Sequence, residues 1–405
     1  MRIIYVTATF PFGPGEAFVM PELAALQAQG HELLVVPLWP RGDVVHKDAS
    51  CFLSSTLSVP FFSPRIAQEF AAAVTHRASS VWALTQGFTR ATPWAMVKNL
   101  AALPKAAWLA SVAKNWKADH IHAYWASVVA SLALAGAELS GIPWSFTAHR
   151  FDIIENNLLE WKAERAKFVR FVSQSGLRMS GLQGTALAPK ANVLHVGINV
   201  NGRPPSVPRQ GTRVIALCAA NMVPVKAHAV LVSAFEKLKR HGNSLELWLV
   251  GEGELRDTLR RDICKRGLDD RIKFLGVLSH SDLMSLYASG TISIAVLASA
   301  DLGHGLHEGI PVSLMEAMSC AIPAIGTATG GIPELLGDGA GLIVPPQNPD
   351  AMADVLHLLS QDQGLRHSLG RAGQERVRER FAAPKIAAQM AGLFSDRLEC
   401  LAAAS

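Results

Sequence analysis

The 405-residue sequence contains no Cys-x-x-Cys pair, no Asp-x-Asp pair and no uncharged apolar stretch of 18 residues. The first absence, with five scattered cysteines (Cys51, Cys218, Cys264, Cys320 and Cys400), excludes the usual zinc and redox-disulfide frameworks and predicts a reducing, cytoplasmic setting. The second, with histidines in no zinc-binding spacing, predicts no essential metal and no other cofactor. The third predicts no transmembrane helix, since the nearest approach, Trp94 to Trp116, is interrupted by Lys98, Pro104, Lys105 and Lys114. The opening MRIIYVTATF carries one positive charge before an apolar run of strand length and no small-residue cleavage site, so no secretory leader is expected. No zinc finger, RRM-type signature or basic stripe interleaved with aromatics occurs, which argues against nucleic acid as a partner. The net charge of +5 still suits an anion, either nucleotide phosphates or an anionic membrane surface.

What is present is apolar material for two cores. With 49% hydrophobic and 18% charged residues, a chain of this length predicts two globular domains and a cleft. Short β-rich runs alternate with helical patterns throughout, as in parallel sheets flanked by helices. RIIYVTA, HELLVVPLW, HIHAYWA, WSFTAH, FVRFVSQ and NVLHVGI form one block; RVIALCAA, LELWLVGEG, IKFLGV, ISIAVLAS, PAIGTA and GLIVPP form the second. Between them NGRPPSVPRQGTR lacks any period and reads as a linker at about 200 to 212. The expected layout is a first domain over 1–203, a second over 204–383, and a last helix over 384–405 packing back on the first. Eight of the nine tryptophans precede residue 162, so the halves are built for different work.

In open α/β sheets ligands sit beyond the carboxyl ends of strands. After ISIAVLAS comes ADLGHGLHEGIPVSLMEAM, with Glu308 in a loop and Glu316 in the first turns of a helix starting near Val312. A helix amino terminus suits a diphosphate, and carboxylates suit paired sugar hydroxyls. Spacing alone favours a solvated loop acid and an ordinary helix-start acid. Gly13 and Gly15 follow the first strand in a tight loop, which is either a plain turn or room for a ligand. Neither this loop nor Gly251 and Gly253 in VGEGELR completes a dinucleotide Gly-x-Gly-x-x-Gly fingerprint. Asp152 reads as a cap for the helix after WSFTAH. The Trp-bearing, Lys-bearing segment 94–117 fits either a membrane surface or a core-facing helical pair.

The string EGIPVSLMEAMSCAIPAIGTATGGIPEL resembles the nucleotide-sugar motif of the family 4 retaining glycosyltransferases, in which Glu, seven residues and Glu precede Ala-Met and a Gly-Gly-x-Pro-Glu turn. VPVKAHAVLVSAFEKL, LVGEGELRDTLRR and IKFLGVLSHSDLMSLY extend the likeness through the second half. FPFGPGEAFVMPELAALQAQGHEL, HIHAYWAS and IPWSFTAHRFDI resemble the branch that assembles bacterial exopolysaccharides. The resemblance implies the GT-B fold, an α/β architecture of two Rossmann-like, doubly wound parallel-sheet domains facing a cleft.

It also implies transfer of a hexose from a nucleotide-diphosphate sugar to a glycan or lipid-linked oligosaccharide acceptor, at the inner face of the membrane. Glu308 would contact the hexose, Glu316 the ribose, and the amides of Val312 and Ser313 the diphosphate, with Pro311 unable to donate. Lys226 would neutralise the leaving diphosphate. His149 would face the donor sugar and acceptor, His122 and Gly13 would shape the acceptor site, and Gly15, Asn221 and Gly251 would border the nucleotide sugar. The family's usual Gly-Arg before the Lys is replaced by Ala220 and Asn221, removing one cation from the diphosphate end. The alternatives are another enzyme of this fold, such as a nucleotide-sugar epimerase or a sugar phosphorylase, and a non-catalytic binding protein.

Overall fold

The computed structural model describes residues 1–13, 15–44, 47–200 and 213–395. All twelve β-rich runs form strands, because each is short, apolar and bounded by turn residues. The chain divides into two compact units, 1–197 with 383–405 and 198–382. The linker expected at about 200–212 lies, from residue 201 onward, outside the described residues.

In the first unit, β1 (Arg2–Thr7), β2 (Glu32–Pro37), β3 (His120–Ala123), β4 (Trp144–Ala148), β5 (Val169–Phe171) and β6 (Ala191–Val193) form a parallel sheet in the order β2-β1-β3-β4-β5-β6. Both faces are covered, so the strands read as continuous apolar runs. The helix Pro93–Asn115 packs on the helix Val128–Ser140, where Gly136 leaves only enough room for Leu109. A fully buried ion pair, Arg170 Nη1 to Glu22 Oε2 at 2.6 Å, ties the helix Met20–Ala28 to β5. Arg170 also donates to the carbonyls of Leu194 and His195, and Tyr5 donates to Glu22, so the buried charges have the partners they need. The helix Ala383–Ser395 belongs to this unit, held by Gln29 Nε2 to Pro384 O at 2.8 Å and Lys167 Nζ to Phe394 O at 2.7 Å.

In the second unit, β7 (Ile215–Ala219), β8 (Glu246–Val250), β9 (Ile272–Gly276), β10 (Ile294–Leu297), β11 (Ala324–Thr327) and β12 (Leu342–Val344) form a parallel sheet ordered β12-β11-β10-β7-β8-β9. The winding direction reverses between β7 and β10. At such a switch point the two loops leave in opposite directions and a crevice opens beyond the strand ends. In the first unit the corresponding reversal falls between β1 and β3.

Candidate active site

The switch point of the second unit holds the charged residues singled out by sequence. Beyond β7, the 3₁₀ turn Pro224–Lys226 is closed by Ala227 in the left-handed region, which places Lys226 at the carboxyl edge. Beyond β10, the backbone N–H of Ala300 donates to Val225 O at 2.9 Å and joins the two loops. Lys226 Nζ forms an ion pair with Glu308 Oε2, and Ser299 Oγ donates to the same oxygen at 3.0 Å. Both charged side chains are largely shielded, at 20% and 12% exposure, so their attraction is screened less than that of an open surface pair.

The Gly-Gly turn exists to let Glu308 sit where it does. A Cβ on Gly330, whose φ is +53°, would lie 1.7 Å from Glu308 O, and one on Gly331 would lie 2.6 Å from Ile310 Cγ1. Only glycine combines that backbone angle with that approach. His307 Nδ1 lies 2.8 Å from the same Glu308 carbonyl. Four residues further on, the helix Val312–Ser319 begins at Pro311 with no side-chain cap, leaving the first-turn amides of Val312 and Ser313 available to an anion. Glu316, on the second turn, has Oε1 2.8 Å from His280 Nε2 and is 13% exposed.

Gly251 and Gly253 follow β8 against the loop that leaves β7. A Cβ on Gly251 would stand 2.3 Å from Ala220 O, and one on Gly253 2.6 Å from Met222 O. Their small size is therefore used by protein backbone. Asn221, between these contacts, is exposed. Beneath Lys226, burial pushes the Cys218 thiol up to about 12; burial, with the Lys226 charge, pushes His228 down to about 4. Both are neutral near pH 7.

In the first unit, His149 follows β4 and caps the helix Arg150–Glu155. Its backbone N–H donates to Asp152 Oδ2 at 3.1 Å, so Asp152 supports the helix start. Neither ring nitrogen of His149 has a hydrogen-bond partner among the described residues; Nδ1 is 3.6 Å from Asp152 Oδ2, too long for one. The ring is walled by Trp125, Tyr124 and Phe18, with centroids at 4.3, 5.3 and 5.8 Å. Gly13 adopts φ +73° and donates to Asp43 O at 3.0 Å, a turn requirement. At Gly15 a Cβ would meet nothing within 4 Å, so no close approach demands glycine there.

His122 does not shape an acceptor site. It is fully buried, with Nδ1 2.8 Å from Ser145 Oγ and Nε2 2.9 Å from Thr147 Oγ1, among Tyr5, Phe168 and Phe394. Burial, reinforced by the charges of its neighbours, holds its pKa far below the usual value. Both nitrogens are engaged inside a covered sheet, so it acts as a core residue.

The segment 94–117 divides. Trp108 is buried, and Lys105 is fully enclosed with Nζ donating to the carbonyls of Pro37, Leu38 and Val59, so most of the helix Pro93–Asn115 faces the core. Its amino end differs. Trp94 is 70% exposed, Lys98 Nζ lies 5.4 Å over its ring and 3.6 Å from Glu155, and the helix bearing Glu155 exposes Phe151 and Ile154. No helix among the described residues is long and apolar enough to cross a membrane, and no group of His, Cys, Asp and Glu among them could hold a metal ion.

Sequence reasoning missed four residues at these strand ends: Ser299, His280, Glu16 and Trp125. His280 lies 36 positions before its partner Glu316, and Trp125 lies 109 positions from Glu16. Glu16 stands inside FPFGPGEAF, a string already singled out, yet nothing local shows that it folds back onto residues 8–10.

Residues 203–376 match the family described as "Glycosyl transferases group 1". Over 167 residues, 41% of this chain and 42% of the relative, there is 31% identity to a GDP-mannose-dependent monoacylated alpha-(1-6)-phosphatidylinositol monomannoside mannosyltransferase of Corynebacterium glutamicum. Over 180 residues, 44% of this chain and 43% of the relative, there is 30% identity to an amylovoran biosynthesis glycosyltransferase of Erwinia amylovora. The chain thus aligns with less than half the length of these curated relatives. A crystal structure of Anabaena HepE in complex with UDP aligns over 98% of this chain and all of its own at 18% identity, with a TM-score of 0.73. Sucrose-phosphate synthase of Thermosynechococcus elongatus aligns over the full length of both chains at 19% identity, with a TM-score of 0.69. At such identities the likeness is one of fold, and the fold is GT-B.

Proposed function

From the match of residues 203–376 to the group 1 glycosyl transferases, we propose that the protein moves a hexose from a nucleotide-diphosphate sugar to a glycan acceptor, retaining the anomeric configuration. The observation that carries the reading is the Lys226–Glu308 pair at the β7/β10 switch point, beside the uncapped helix Val312–Ser319 and Glu316. A nucleotide sugar offers diol, diphosphate and polyol in a row. This edge offers Glu316, then Val312 and Ser313 amides with Lys226, then Glu308.

In the reaction, the bond between the anomeric carbon and the diphosphate oxygen breaks and its electron pair stays on that oxygen. Lys226 and the helix amides stabilise the charge that develops there, without a metal. The acceptor hydroxyl oxygen bonds to the anomeric carbon from the same face and gives its proton to the departing phosphate. Glu308 holds a hexose hydroxyl, and the sugar is also assigned to His149 in the first unit, whose enclosed ring nitrogens have no hydrogen-bond partner among the described residues.

The acceptor is lipid-linked and is met at the cytoplasmic membrane face, in the assembly of a surface or exopolysaccharide. Exposed Trp94, Phe151 and Ile154 beside Lys98 and Arg150 support this reading: apolar side chains flanked by cations suit an anionic lipid surface. Wild-type protein is expected to bind anionic liposomes in a salt-sensitive manner, and Trp94→Glu with Phe151→Glu to lose most of that binding. Equal binding by the double variant rules out this surface.

The donor is tested with a thermal-shift panel of UDP-, GDP- and ADP-sugars and their free nucleotides, since a ligand that binds only the folded state raises its melting temperature. One sugar nucleotide is expected to stabilise the protein, with free nucleotide released only when a glycan acceptor is present. Absence of any stabilisation, or nucleotide release to phosphate alone, overturns the reading; the latter marks a phosphorylase.

A further inference from the structure

One buried carboxylate joins the strand ends of the first unit. Glu16, 4% exposed, accepts backbone N–H bonds from Ala8 at 3.0 Å, Thr9 at 2.5 Å and Phe10 at 2.7 Å, and a hydroxyl bond from Thr9 at 3.0 Å. Its fifth partner is Trp125, whose Nε1–H donates to Oε1. An ionised carboxylate is stable away from water only when its lone pairs are occupied, and five donors accomplish that here. The loop after β1 is thereby curled around Glu16 and fastened to the residue two positions beyond β3.

Trp125 carries the linkage onward to His149. The indole and imidazole centroids are 4.3 Å apart with planes at 37°. Since neither ring nitrogen of His149 is hydrogen-bonded among the described residues, packing against aromatic walls sets its orientation. Of the three walls, Trp125 lies nearest. It is half-buried, and its indole is oriented by the single polar handle of Nε1–H to Glu16.

We infer that Glu16 and Trp125 are positioning residues for His149, acting through the Glu16–Trp125 hydrogen bond that locks the indole against the imidazole. The functional part rests on the proposed role of His149 toward sugar. The structural part does not.

The test uses Trp125→Phe, which keeps an aromatic wall and removes only the indole N–H and its second ring, with Glu16→Gln as the companion and His149→Ala to assign resonances. In protein labelled at histidine, the ring C–H signals of His149 carry the ring-current shift of the adjacent indole. They are expected to move in Trp125→Phe, and in Glu16→Gln even though the indole is retained. With the donor identified by the thermal-shift panel, kcat is expected to fall between about 10- and 100-fold in Trp125→Phe, the range for a small misplacement of an acting group. The melting shift given by the free nucleoside diphosphate should stay at its wild-type value, because the contacts proposed for the nucleotide and diphosphate lie in the second unit.

Unmoved His149 signals in Glu16→Gln, where the indole is retained, overturn the inference whatever the activity, and moved signals with unchanged kcat overturn its functional part. If the wild-type protein transfers no sugar, the proposed function fails while the histidine spectra still decide whether Glu16 and Trp125 hold the ring. If Glu16→Gln unfolds, as melting would reveal, kcat in Trp125→Phe decides, and an unchanged kcat overturns the inference.

Discussion

Replacing Glu308 by Gln should separate two affinities that the wild-type site couples. Glu308 Oε2 receives both Lys226 and the Ser299 hydroxyl, the latter at 3.0 Å, and the amide oxygen of Gln can still accept from Ser299. The fold should therefore survive. The variant loses the negative charge that occupies Lys226, so a nucleoside diphosphate, which needs Lys226 and not Glu308, should bind as tightly as before or a few-fold more tightly. A nucleotide sugar behaves oppositely. Its hexose hydroxyl exchanges a charged acceptor for a neutral one; hydrogen bonds to charged groups are worth about 1.5–3 kcal/mol against about 0.5–1.5 for neutral ones, and the difference of about 1–1.5 kcal/mol is roughly 5- to 12-fold in kcat/KM. The assay is calorimetric titration of the diphosphate and the sugar nucleotide against both proteins, with melting followed by circular dichroism. Equal weakening of both ligands, or no change in either, would refute the assignment of Lys226 to the diphosphate and Glu308 to the sugar.

Gly330→Ala should lower the melting temperature by several degrees and abolish sugar-nucleotide stabilisation, since its Cβ would stand 1.7 Å from Glu308 O at a φ of +53°; a wild-type melt would mean the turn is looser than described. Asn221→Arg should tighten nucleoside diphosphate binding roughly 10-fold in a salt-sensitive way, from the exposed position after β7, and calorimetry at two ionic strengths decides whether this side chain meets the phosphates. Lys162 is enclosed with Nζ donating to Ala126 O and Ser127 O, the two bonds a neutral amine can make, and burial pulls its pKa from 10.5 to about 7. Between those values the unfolded chain binds the proton more tightly, so this group adds stability as pH rises, about 1.4 kcal/mol per unit, and adds no pH dependence well below 7. Relative to Lys162→Met, the wild-type protein should gain about 2–3 kcal/mol between pH 7 and 9 in denaturant titrations; a flat difference would show that the ammonium persists in the folded state.

Several features of the site were legible because they are local. The helix start at Val312 follows from a Pro at the cap position and an apolar period after it, and the turn at Gly330 and Gly331 announces itself by composition. His122 was misread for a physical reason: at a strand end, sequence cannot tell which face of the sheet a side chain enters, and here Ser145 and Thr147 on the neighbouring β4 capture both nitrogens. Gly251 illustrates the same limit, since a glycine that admits a ligand and one that admits the backbone of Ala220 look alike in one dimension.

By itself, the sequence determined the twelve strands, the α/β alternation and the residue types around Glu308 and Glu316, because strand periodicity, turn chemistry and helix starts depend on neighbours within a few positions. Only the tertiary structure decided that Lys226 meets Glu308 across 82 residues, that His280 meets Glu316, and that Glu16 reaches Trp125. Those pairings depend on strand order, which is settled by the packing of whole layers. A switch point brings β7 beside β10 while the intervening chain completes two other strands. The Glu308–Glu316 spacing marked the region, and the sheet's reversal brought Lys226 to Glu308.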